Sequence, residues 1–185
     1  MQSTFEKPGY KNTEEALEIM LESCRKYGIN QVVVASTGGG TGLAAAKLLQ
    51  DSGIRLVVVT HNYGFKEPGT HEMPQETRAE IESFGARVHT ATMALRNIGT
   101  AIRSRQEYSQ QDLVANTLRI FGQGMNVCVE IVMMAADGGL ITPDDVIAVA
   151  GTARGADTVA LIAPQSSNKL FDLKVKEILV KPFSW

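Results

Sequence analysis

Apolar residues along this chain fall into two patterns, and the alternation between them predicts the fold. Continuous β-branched or apolar runs at Gln31–Ala35, Arg55–Thr60, Val146–Ala150 and Thr158–Ala163, with Arg87–Thr90 after Gly85, read as five strands. The unbroken apolarity of RLVVVT fits a parallel strand buried on both faces. Between the strands, apolar residues recur at helical spacing. Ala16, Leu17, Met20, Leu21 and Cys24 mark a first helix, with Asn12 as its N-cap, Glu15 at N3, and an end at Gly28. Leu43–Gln50, Pro74–Phe84, Asp112–Phe121 and Met125–Ala136 read as further helices, with Gly85 a left-handed stop for the second of these. Residues 91–111 follow neither period and read as loop mixed with a short helix. Val175–Val180 is a candidate sixth strand at the sheet's edge.

Strand and helix alternating through residue 150 predict an α/β fold of three layers, α/β/α, around a mostly parallel five-stranded sheet. GTARGAD, between the last two strands of the five, is too short for a parallel crossover, so the fifth strand must run antiparallel and the sheet is mixed. A length of 185 residues at 44% hydrophobic suits one domain over 1–185, without repeats or an interdomain linker.

Charge narrows the function. A net charge of −2 and the absence of any Lys/Arg run argue against nucleic-acid or membrane-surface partners. The amino terminus lacks the apolar core of a signal peptide, and the run Val127–Ala136 is interrupted by Glu130, so the expected location is cytoplasmic. Cys24 and Cys128, each in a helical apolar pattern, read as buried free thiols.

The stretch VVVASTGGGTGLAAAKLL carries the main chemical signal. A glycine-rich turn leading from a strand into a helix leaves backbone N–H groups unpaired at the positive end of the helix dipole, where a phosphate is the natural guest. Gly38, Gly39 and Gly40 permit close approach, and Ser36, Thr37 and Thr41 add hydroxyls. A tight turn that only packs helix on sheet is the other reading. The triphosphate pattern GxxxxGK[ST] is not met, since Leu43 follows Gly42. Gly40-x-Gly42-x-x-Ala45 meets the dinucleotide spacing, but Thr60-His61-Asn62 stands where its acidic residue belongs.

Glu14 to Gln50, with that turn at its centre, resembles the start of the carboxy-terminal α/β domain of pyruvate kinase. DDVIAVAGTARGADTVALIAP is similar to that domain's last hairpin, and FGQGMNVCVEIVMMAADGGLI to the signature of small stand-alone relatives. The resemblance implies strand order 3-2-1-4-5 with the last strand antiparallel, so STGGGTG and GTARGAD would line one crevice at the switch point. It implies an effector-type phosphate site at Ser36–Thr41, and among the stand-alone relatives flavin mononucleotide (FMN) as cofactor. Gly151, Thr152 and Arg154 from the second loop, and His61 and Asn62 after strand two, join the implied site, with Tyr63 and Phe65 able to cover a ring. The kinase's catalytic barrel finds no room in 185 residues, so pyruvate kinase activity is not expected. Relatives of this domain pair with themselves, which implies a homo-oligomer.

Three functions follow as expectations: a binding protein for a phosphorylated small molecule, an enzyme (a flavin-dependent oxidoreductase or one acting on a phosphorylated metabolite), or a ligand-sensing regulatory module. His61, His71, Glu67 and Glu72 match no metal-ligand spacing, and none is expected to hold a metal. His61 has no acid–base partner identifiable from spacing. His89 reads as structural. Asn126 and Glu130 share one face of an apolar helix, where a carboxylate must be paired or lie at a surface.

Overall fold

The computed structural model describes residues 4–184. Seven strands form one sheet: β1 (Thr4–Phe5), β2 (Gln31–Ala35), β3 (Arg55–Thr60), β4 (Arg87–Thr90), β5 (Val146–Ala150), β6 (Thr158–Ala163) and β7 (Lys174–Pro182), in the order β1-β7-β6-β5-β2-β3-β4. The five expected strands occupy their expected bounds and order. β2 pairs in parallel with both β3 and β5, and β6 runs antiparallel to β5.

The strand count is a correction. Instead of five strands with an optional edge, β7 is a nine-residue strand antiparallel to β6, and β1 pairs with its far end through Thr4↔Lys181 and Phe5↔Pro182. A two-residue strand has no readable period. What holds it is burial of Phe5, 3% exposed, and the Phe183 amide donating to the Phe5 carbonyl at 2.7 Å.

Alternate residues of the central strands feed two cores, which is why their sequences are apolar throughout. Val32, Val34, Val58, Ile147 and Val149 pack on one face with α1 (Thr13–Tyr27), α2 (Gly40–Leu49) and α3 (Gln75–Ser83). Val33, Val57, Val59, Ala148 and Ala150 pack on the other, chiefly against α6 (Gln123–Asp137). Each buried Val or Ile contributes about 1.5–3 kcal/mol. Two further helices, α4 (Asn97–Gln106) and α5 (Gln110–Arg119), stand on the α6 side, so residues 91–111 hold a ten-residue helix rather than a short one. Ser109 caps α5 by accepting from the Asp112 amide at 3.1 Å.

Gly28 ends α1 in the left-handed region, as the sequence predicts, and Gly85 at φ 85 follows α3. The capping box at Asn12 does not form. A 3-10 turn runs straight into α1, leaving Asn12 helical, and its carboxamide donates to the Lys7 carbonyl instead.

Candidate functional site

At the carboxyl ends of β2 and β5 the chain departs in two directions, and the crevice between opens into a cavity of about 1040 Å³. Ser36, Thr37, Gly38, Gly40, Thr41, His61, Gly151 and Arg154 all line it. Gly39, Asn62 and Thr152 do not.

The turn after β2 is built by a division of labour among its glycines. Gly39 is the N-cap of α2 at φ 97, and a Cβ there would lie 2.3 Å from the Thr77 methyl on α3. Gly42 lets α2 approach β3, since its Cβ would meet Val58 at 2.7 Å. Gly38 and Gly40 are exposed with open space where a side chain would stand. The first two are required by packing, and the second two leave the cavity side bare.

The same turn leaves donors over. The Ser36 amide donates to the Val59 carbonyl, the Gly42 amide to Ser36 Oγ, and the Leu43 amide to the Gly39 carbonyl. Among the described residues, the five amides from Thr37 to Thr41 between them have no protein acceptor. They stand at the N-terminus of a ten-residue helix, where the dipole favours an anion.

His61 is held over this turn by its own loop. His71 anchors that loop: its Nδ1 accepts from the Met73 amide at 3.1 Å, so its Nε2 carries the proton donated to the His61 carbonyl at 3.2 Å. His61 Nδ1 lies 2.7 Å from Glu72 Oε2. A carboxylate only accepts, so Nδ1 is the donor and Nε2 is turned to Thr37 Oγ1, 3.4 Å away. The partner that spacing could not supply is thus Glu72, eleven residues on. Burial alone would raise the Glu72 carboxyl; Lys66 and His61 together hold it below its ordinary value. The His61 ring rests on Phe65, centroids 4.0 Å apart, and Arg96 covers Phe65 at 4.7 Å.

Asn62 is turned away, bonding Asn97 Nδ2 through its Oδ1 at 2.7 Å and so tying this loop to α4. Thr152 gives its amide to Asp157 at 3.0 Å. Of the second loop only Gly151, Ala153, Arg154 and Gly155 reach the cavity.

The far wall comes from residues the sequence reading did not assemble. Arg96, Thr100 and Arg103 line it from the α4 region, Arg119 from α5, and Asn126 and Glu130 from α6. The spacing of Arg96, Thr100 and Arg103 is itself a helical face, which is the signal that would have found them. Arg103 pairs with Asp112 at 3.4 Å and Lys66 with Glu72 at 2.6 Å. Among the described residues Arg96, Arg119 and Arg154 form no ion pair within 4 Å, although Arg96 and Arg119 act at longer range on the Glu130 carboxylate, which leaves Arg154 as the cation of the lining without a carboxylate partner. Glu130, 7% exposed, accepts from the Leu95 amide at 2.7 Å. Burial raises its carboxyl, with the Leu95 amide, Arg96 and Arg119 pulling the other way.

Both thiols are buried, and burial pushes Cys24 up to about 12 and Cys128 higher still. His89 sits on β4, outside the cavity lining, its basicity lowered by burial. Among the described residues no three His, Cys, Asp or Glu side chains are grouped to hold a metal, and no helix is long and apolar enough to cross a membrane.

No protein-family profile matches the chain. Among solved structures it is similar to a pyruvate kinase from Cryptosporidium parvum, at 13% identity and TM-score 0.44, over 83% of this chain and 23% of that one. The Cryptosporidium parvum pyruvate kinase in complex with ADP gives 15% identity and TM-score 0.42, over 85% of this chain and 24% of that one. NMN synthetase from Francisella tularensis gives 16% and 0.42, over 74% and 52%. The chain spans about a quarter of the length of the pyruvate kinases it matches.

Proposed function

We propose that this chain binds a phosphate-bearing small molecule, with the phosphate on the amides of Thr37–Thr41 and the remainder of the ligand in the adjoining cavity. The observation that carries the reading is the run of five unpaired amides at the start of α2. Thr37, Gly39 and Thr41 are buried or half-buried, a setting in which amides are nearly always paired in proteins, and a helix N-terminus that leaves its donors open beside a cavity is suited to an anion. Arg154 supports the reading by offering the fixed charge that amides lack.

FMN is the candidate ligand. Its fit rests on this chain's own features: a cavity at the upper end of the usual small-molecule range, a ring platform in His61 and Phe65, and apolar walls from Met93, Leu95 and Met134. When bound, FMN would supply hydride or single-electron chemistry, tuned by the groups around its ring. The chain's residues would grip its phosphate, cover its ring and hold water away from it.

Titration of the purified chain with FMN and with riboflavin, followed by flavin fluorescence anisotropy, tests the reading. FMN is expected to bind at least about tenfold tighter, because its phosphate adds charge-assisted hydrogen bonds. Equal affinity for the two would show that the turn is a packing device, and no affinity for either up to millimolar concentration would rule out FMN as the ligand.

A second reading, an enzyme acting on the bound ligand, is favoured by the Thr37–His61–Glu72 array. The orientation of His61 leaves Nε2 free to take a proton beside the phosphate position, with Glu72 fixing the tautomer. Under that reading His61→Gln would lower turnover by about a hundredfold or more while leaving ligand affinity within a few fold.

A further inference from the structure

On the α6 side of the cavity one side chain has nothing to bind. Asn126 is 3% exposed and lines the cavity, yet its Oδ1 has no hydrogen-bond partner. Among the described residues no hydrogen bond involves either end of its carboxamide. Such a group is costly to bury, and a leucine of the same branched shape would avoid that cost. An unpaired buried polar atom in a native interior calls for an explanation; Thr152 Oγ1 is another, on a residue away from the cavity lining, whereas Asn126 belongs to the lining, where a ligand can complete it.

Its surroundings describe the missing partner. Met93, Leu95, Val127, Ile131 and Met134 make the neighbouring lining apolar. Glu130, one turn along the same face, is already engaged through Oε1 with the Leu95 amide, which leaves Asn126 as the uncommitted group. A primary carboxamide sets an N–H donor beside a C=O acceptor, the complement of a ring edge in which C=O and N–H adjoin. The acidic side chain and the unpaired carboxamide belong to the α6 wall, while the unpaired amides belong to the α2 turn. A ligand with one anionic end and one amide-like end can therefore enter in only one sense.

We propose that Asn126 is the recognition residue of a heterocycle subsite, binding the lactam or imide edge of a planar ring whose phosphate occupies the α2 turn. The proposal rests on the phosphate-site reading for the orientation of the ligand, and the choice of probes separates the two.

The test compares FMN and riboflavin with their N3-methyl derivatives, in which the imide N–H is replaced, against the wild-type chain and Asn126→Leu. N3-methylation is expected to weaken binding to wild type roughly tenfold, the equivalent of one buried hydrogen bond. Asn126→Leu should weaken the unmethylated ligands by about the same factor and leave the methylated ones unchanged, a coupling that only a direct contact produces. Melting of the ligand-free variant should hold or rise, since an unpaired polar group has been removed. If the leucine disturbs the fold, Asn126→Ala gives the same comparison without added bulk.

Equal binding of methylated and unmethylated ligands to wild type would overturn the subsite while leaving the phosphate reading intact, provided FMN still surpasses riboflavin. Methyl-sensitive binding of riboflavin with no gain from the phosphate would do the reverse. Should neither flavin bind, uridine monophosphate and its 3-methyl derivative take their place, and no methyl-sensitive binding in that pair either would overturn the subsite. A variant that melts lower and loses all ligands equally would mark Asn126 as structural.

Discussion

The turn after β2 and the loop after β5 are both built of small residues around glycine and meet at the same edge of the sheet, yet the first keeps all five of its middle amides open while the second has its amides partly taken up by the protein. In the β5 loop, the carboxylate of Asp157, fully buried, accepts from the amides of Gly9 at 2.9 Å and Thr152 at 3.0 Å and from the Thr158 hydroxyl at 2.9 Å. The Ala156 amide donates to Thr13 Oγ1, and the Asp157 amide to the Ala150 carbonyl. Its glycines serve contact with the chain itself: a Cβ on Gly151 would lie 2.4 Å from the Gly155 carbonyl oxygen, and one on Gly155 would strike Tyr10 and Thr13. Among the described residues no carboxylate accepts from the β2 turn, and its five amides stay open. A buried carboxylate that takes even one loop amide ties that loop to the rest of the chain, whereas a turn whose donors lack any internal acceptor is left able to bind.

The contrast can be broken most forcefully at Asp157. Asp157→Ala strands three donors, two of them amides, and is expected to cost about 3–5 kcal/mol, seen in urea or thermal unfolding. Loss of less than about 1 kcal/mol would mean that the loop closes without its carboxylate. Gly39→Val is next. Its positive φ and the Thr77 contact should cost about 2–4 kcal/mol of stability, so this position reports on packing rather than on ligand. Gly38→Val sharpens the comparison from the open side: the space around it is free, so stability should stay within about 0.5 kcal/mol, while phosphate-ligand affinity falls about tenfold or more. A variant equally stable and equally tight in calorimetric titration would remove the turn from the site.

The smallest effect concerns Glu72. Its folded-state pKa lies below the ordinary value of 4.5, so its contribution to stability is present above that value and is lost as pH falls through the lower folded one. Glu72→Gln should therefore melt below wild type at neutral pH, with the two curves meeting in acid once the pH has fallen below the lowered folded-state pKa of Glu72. A constant gap across that range would assign the difference to shape rather than charge.

Much of this fold was legible in the residues. The bounds of β2, β3, β5 and β6 followed from apolar runs, because a strand covered on both faces has no polar side to betray or confuse it, whereas the edge strand β4, RVHT, has only Val88 as an apolar residue. β1 was not legible, since two residues carry no period and its existence depends on Phe5 finding the far end of β7. The open turn was legible as a motif. The identity of the residues around it was readable only in part: His61 and Arg154 end at the cavity, whereas the Asn62 side chain is spent on Asn97, and Thr152 engages Asp157 through its backbone amide while its buried hydroxyl has no partner among the described residues. No sequence rule distinguishes a polar side chain that faces a ligand from one that ties two loops together.

By itself, then, the sequence determined the layer architecture, the parallel centre with its antiparallel turn, and the glycine-rich turn between β2 and α2, because each depends on local periodicity or on the reach of a short loop. Only the tertiary structure decided which glycine loop keeps its donors free, that Glu72 lies behind His61, and that Asn126 is buried against the cavity without a partner. Those outcomes depend on which groups from distant segments meet, and hydrogen-bond accounting between them is settled only when the chain has closed.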